Sequence, residues 1–140
     1  MVTIELKGRE IPLLYTTWEM KEIQESIAPI QDAIKLICGK DPDAEEEKEG
    51  KIYGGDRHLD AVAKAVKILG NAGLEENGEA ADLTEKKILR AMKPTQIPEV
   101  VNKIMDAMAE GMRSERPEKE DEGPVDVTLE EINRKKGGTN

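Results

Sequence analysis

The chain carries one histidine and one cysteine, so side-chain chemistry has few places to start. His58 stands between Asp56 and Asp60. An imidazole so placed could serve as a general base near neutral pH. Its position at an expected helix start reads instead as a solvated first-turn histidine. Cys38 closes a stripe of isoleucines and reads as a buried apolar thiol, with no Cys or His at zinc-ligand spacing. Asp41-x-Asp43-x-Glu45 has the alternation of a calcium loop. Its sixth position is Glu46, where that loop needs Gly, and its twelfth is Ile52, where it needs Glu. Gly54-Gly55 and Gly70-x-x-Gly73 lack the Lys-Ser/Thr pair of a phosphate loop, and no Ser/His/Asp order stands out. The expectation is a non-enzyme with no catalytic, cofactor-binding or metal-ligating residue.

Charge and composition narrow the partners. Asp plus Glu is 30 against 21 Lys plus Arg, a formal net charge of -9 on 140 residues. The aromatics are Tyr15, Trp18 and Tyr53, with no Phe. A platform for single-stranded nucleic acid needs stacked aromatics and a basic groove. An acidic chain is also repelled by phosphate backbones and anionic lipid heads. No nucleic-acid or membrane partner is therefore expected. No long apolar run and no secretory pattern is visible, which gives a cytoplasmic expectation. One cysteine cannot build an internal disulfide framework.

The charge is uneven. Residues 41–49 hold six acids and one base, a net -5, and residues 115–131 hold eight acids and two bases, a net -6. The remainder is +2. Segments so poor in apolar residues cannot bury enough surface to offset ordering entropy. The reading is one folded domain over 1–112 with an acidic mobile loop at 40–56, and an acidic, disordered tail over 113–140. About 95 residues are left to build a core, a size that folds alone with modest reserve.

Val2, Ile4 and Leu6 alternate as a half-buried strand, Lys7-Gly8-Arg9 reads as a turn, and Ile11, Leu13 and Leu14 as the return strand, with Pro12 marking an edge. Thr16 and Glu19 form a capping box, with Tyr15 and Met20 at the staple positions. Met20, Ile23, Ile27, Ile30, Ile34 and Ile37 then follow at helical spacing up to Gly39. Because the stripe keeps its phase across Pro29, one kinked helix is favoured over two. A central helix is expected from Asp56 to about Leu74, with Leu59, Val62, Val66, Leu69 and Gly73 on its face. Gly70, Gly73 and Gly78 weaken its end. Thr84 caps a short helix over 85–93 that buries Ile88, Leu89 and Met92. A last helix starts near Ile97, with Pro98 in its first turn. The fold class is α+β, predominantly α-helical: a two-stranded N-terminal β-hairpin packed on four to five helices.

The last helix presents Ile97, Val101, Ile104, Met105, Met108 and Met112. With Met92 these methionines are either gap-filling core or an adaptable binding surface. Trp18, off the isoleucine stripe, is either a lid on the hairpin or an exposed anchor. Trp18, Met92, Ile97, Val101, Met105, Met108 and Met112 are the candidate partner-binding residues.

Four stretches carry a family resemblance: IELKGREIPLLYTTWEMKEIQE, AVAKAVKILGNAGLEENG, DLTEKKILRAMKPTQIPEVVNKIMDAMAEGM and VTLEEINRKK. They match a hairpin entering a first helix, a central helix ending in an Asn-Ala-Gly turn, paired helices around a Lys-Pro break, and a closing segment. In this order they resemble the tail assembly chaperones of long-tailed bacteriophages and prophages, the group of the lambda-type chaperone. The resemblance covers most of residues 2–112, and the acidic 40–56 segment has no counterpart in it. It implies a protein that works in the bacterial host cytoplasm and is absent from the mature virion. Such a protein binds the long helical tape measure protein and recruits tail tube protein during tail morphogenesis. Many members also have a longer frameshifted form, and none has a catalytic residue. Self-association stays open. The competing readings are a structural head-tail connector or tail component, and a small regulatory adaptor binding another protein.

Overall fold

The computed structural model describes residues 1–43 and 53–113. The expectations for residues 44–52 and for the tail beyond Arg113 lie outside the described residues. Among the described ones, an N-terminal hairpin packs on five α-helices, as the α+β reading expects. None of these helices is long and apolar enough to cross a membrane.

The hairpin pairs β1 (Val2–Leu6) with β2 (Arg9–Leu13), antiparallel, with Val2 opposite Leu13 and Leu6 opposite Arg9. Lys7 and Gly8 join the strands with φ of 52° and 78°. Positive φ at both central residues is the two-residue turn whose twist matches the strands. β1 alternates as expected, burying Ile4 and Leu6. On β2, Ile11, Pro12 and Leu13 are all buried, because a helix covers that strand.

Two helices follow, not the one kinked helix that the phase of the stripe favours. α1 is Thr17–Ser26 and α2 is Ile30–Ile37, with Pro29 as the N-cap of α2. Pro29 withholds a backbone donor and pushes Ala28 out of the helical region. The Gln24 side chain accepts from the Ile30 N–H at 3.1 Å and bridges the break. The break also resets the face. α2 buries Ala33, Leu36 and Ile37, while Ile27, Ile30 and Ile34 of the expected stripe are only half-buried. Both ends follow local chemistry. Thr16 and Glu19 form the capping box, the Thr16 N–H reaching the carboxylate at 2.9 Å. At the other end Gly39 takes φ 82°, so its N–H reaches the Leu36 carbonyl and that of Lys40 the Lys35 carbonyl. That bond pair is the Schellman ending, which favours Gly at this position.

α3 (Asp56–Glu76) is the central element and runs past the expected Leu74. Gly70 and Gly73 lie inside it and are buried, so Asn71-Ala72-Gly73 is helix interior and not a turn. They are sites of close approach. A Cβ on Gly73 would overlap the Pro12 carbonyl and stand 2.6 Å from its carbon. Beside it the Leu14 N–H donates to the Leu69 carbonyl at 3.0 Å. The hairpin is thus seated on α3 through backbone.

α4 (Glu85–Ala91) starts at the Thr84 cap, whose hydroxyl accepts from the Lys87 N–H. It buries Ile88 and is followed by buried Met92, but Leu89 points outward, 39 % exposed, against expectation. A single 3-10 turn over Pro94–Gln96 leads into α5 (Ile97–Gly111). α5 packs along β1 and α3 and buries Val100, Val101, Ile104, Ala107 and Met108. Its last turn lies against Tyr15, where a Cβ on Gly111 would come within 2.9 Å of the ring.

Candidate docking surface

A groove of about 320 Å³ runs between the hairpin and α4. Leu6, Ile11, Leu83, Ile88 and Ala91 line its floor, and Lys7, Arg9, Lys87 and Arg90 stand around it. Each wall has a local cause. The tight turn puts Lys7 and Arg9 at the hairpin tip. Asn71 of α3 clamps the backbone of Leu83 from both sides: its carbonyl oxygen accepts from the Leu83 N–H at 2.9 Å, and its amide donates to the Leu83 carbonyl at 3.1 Å. The Thr84 cap then launches α4 in the phase that turns Ile88 inward and Lys87 and Arg90 to the rim.

The rim charges are not equivalent. Arg9 is paired with Asp82 at 3.1 Å and also donates to the Ala80 carbonyl. The Arg9 guanidinium beside Asp82 holds that carboxyl below its ordinary range. Lys87 donates to the Asp82 backbone carbonyl at 3.1 Å, and its charge acts on the Asp82 carboxylate without closing a salt bridge. Lys7, Lys87 and Arg90 have no salt-bridge partner among the described residues. An apolar floor under unpaired cations suits an apolar segment flanked by carboxylates.

The partner-binding candidates from the sequence do not form one patch. Met92, Val101 and Met108 are buried in the chain's own core, and Ile97 and Met105 are half-buried against it. Met112 is 72 % exposed, just beyond α5. Trp18 is 61 % exposed on α1, with the Lys21 ammonium 5.3 Å from its ring centroid, and borders a crevice with Lys67, Asn71 and Glu75 of α3. It does not cover the hairpin floor. The groove residues come from three distant stretches, so no local pattern in the sequence groups them. The one local signal is Lys87 and Arg90 flanking Ile88 on a short helix.

His58 is not solvated. It is 0 % exposed, in the first turn of α3. Its Nδ1 accepts from the Gly54 N–H at 3.0 Å, and the Tyr53 ring meets it edge-on with centroids 4.8 Å apart. With Nδ1 accepting, the neutral ring carries its proton on Nε2, which is buried near the Ile37 carbonyl but makes no hydrogen bond of good geometry among the described residues. Burial pushes the pKa below the usual histidine value, with the Ile37 carbonyl pulling weakly the other way. The unfolded chain therefore takes up a proton that the folded chain refuses. This contribution to stability is complete above about pH 6.5 and is lost as pH falls through the lowered folded value. Urea unfolding at stepped pH should show stability falling on acidification by at most about 1.4 kcal/mol per pH unit. His58→Gln should flatten that slope.

The remaining chemistry-bearing residues are held by structure. Asp41 and Asp43 face Arg57 at 3.5 and 3.6 Å, and the Asp43 N–H donates to the Asp41 carboxylate. Cys38 is half-buried, and burial pushes its thiol up against the opposing charge of Lys40, so it stays protonated at neutral pH. Comparison with family models, curated proteins and solved structures finds no match.

Proposed function

We propose that this chain is a phage tail assembly chaperone. It binds apolar helical segments of the tape measure protein, keeps them dispersed, and recruits tail tube subunits in the host cytoplasm. The observation that supports this reading best is the groove between hairpin and α4, apolar below and basic at its edges. A long helix exposing an apolar stripe gains by laying it along Leu6, Ile11, Leu83 and Ile88. Carboxylates flanking that stripe then meet Lys7, Lys87 and Arg90, which fixes orientation and speeds encounter more than it adds affinity. The reading rests otherwise on the resemblance of the four sequence stretches, one of which places a turn at Asn71-Ala72-Gly73 where α3 continues.

Co-expression with a tape measure fragment from the same genome tests the reading. The fragment is expected to stay soluble and to copurify with the full chain. Lys87→Glu with Arg90→Glu should reduce recovery about tenfold, two charge contacts of roughly 0.7 kcal/mol each. Finding the chain in purified virions, with no binding to the fragment or to tail tube protein, would overturn the proposal in favour of a structural component.

A further inference from the structure

We infer that the groove between hairpin and α4 is also the docking site for this chain's own segment Val125–Ile132. The groove offers an apolar floor and three cations with no salt-bridge partner among the described residues, Lys7, Lys87 and Arg90. The segment, Val-Asp-Val-Thr-Leu-Glu-Glu-Ile, offers Val125, Val127, Leu129 and Ile132 for the floor. It offers Asp126, Glu130 and Glu131 for the rim. Apolar and acidic residues are thus combined in one short stretch, the complement of what the groove presents.

The reach is sufficient. α5 delivers the chain to the open end of the hairpin: Gly111 lies against Tyr15, and Glu110 is 3.9 Å from the N-terminal ammonium of Met1. The groove lies at the turn end, beside Leu6 and Arg9. The two ends are separated by one five-residue strand, about 17 Å. Residues 114–124 can span up to roughly 36–40 Å. A tether of this length presents the segment at a millimolar-scale effective concentration, so weak contacts suffice for occupancy. A tape measure helix would then have to displace the segment, which tempers binding to lesser apolar surfaces. The docking itself rests on the groove and not on the partner's identity, and it can fail or hold without a partner present.

Carbodiimide coupling of the full chain, followed by peptide mapping, tests the inference. Asp126, Glu130 or Glu131 should be joined to Lys7 or Lys87. Mixing isotopically light and heavy chains should give linked peptides of unmixed label. Leu129→Asp should abolish these links, and so should Lys87→Glu with Arg90→Glu, including the link to Lys7. Links from these acids only to lysines away from the groove would overturn the inference. So would links of mixed label, which assign the groove to a second copy, or links at Lys7 and Lys87 that survive Leu129→Asp.

Discussion

Met108→Asp is expected to destabilise the fold by about 4 kcal/mol, whereas Met112→Asp, one helical turn on, should leave stability within about 0.5 kcal/mol. Met108 is buried where α5 meets the core, and Met112 is exposed. The change at 108 removes a buried apolar side chain, about 2–3 kcal/mol. It also leaves a carboxyl group without a partner in an apolar setting, roughly 1–3 kcal/mol more. A domain of this size has about 5–15 kcal/mol to lose. Urea unfolding should show a much lower midpoint, or a chain already unfolded in water. The comparison separates two roles that a methionine-rich helix can play. If Met108→Asp were tolerated, the α5 face would be a surface after all, and the core described above would be wrong.

Gly73→Ala is expected to cost about 2–3 kcal/mol, although it places a better helix former inside a helix. On an isolated helix the change would gain about 1 kcal/mol. Here the added methyl would be driven into the Pro12 backbone, which cannot rotate away as a side chain can. The hairpin must lift off α3, stretching the bond between Leu14 and Leu69. Overpacking costs about 1–3 kcal/mol, and more where the obstacle is backbone. A cost of about 3–4 kcal/mol here, less the helix gain of about 1 kcal/mol, leaves the expected net of about 2–3 kcal/mol. The urea midpoint should fall with little change in slope. Stabilisation would mean that strand and helix are further apart than described. Gly78→Ala makes a useful contrast: it meets open space, and its cost is set by φ 76° alone.

What was legible in the sequence was local. Thr16 with Glu19, Thr84, Gly39 and Pro98 each act within one turn of chain, and each marks the helix end it was assigned. Lys7-Gly8-Arg9 marks the hairpin turn in the same way, although Arg9 already belongs to β2. The misreadings all depend on what arrives from elsewhere. The isoleucine stripe kept its phase across Pro29 by coincidence of spacing, because a broken helix can restart at any rotation. His58 looked exposed beside Asp56 and Asp60, yet Tyr53, Gly54 and the end of α2 close over it. Gly73 read as a weak point because its neighbour, Pro12, lies 61 positions away in the chain. The groove needed Leu6, Leu83 and Ile88 to be brought together, and no short-range pattern records that.

Methyl-resolved NMR of the full chain, labelled at Ile, Leu, Val and Met and titrated with a tape measure fragment, tests the central claim most directly. Binding in the groove predicts shifts at Leu6, Ile11, Leu83 and Ile88, with Met105 and Met112 unmoved. Shifts confined to Ile97, Met105 and Met112, or no shifts at saturating fragment, would contradict it.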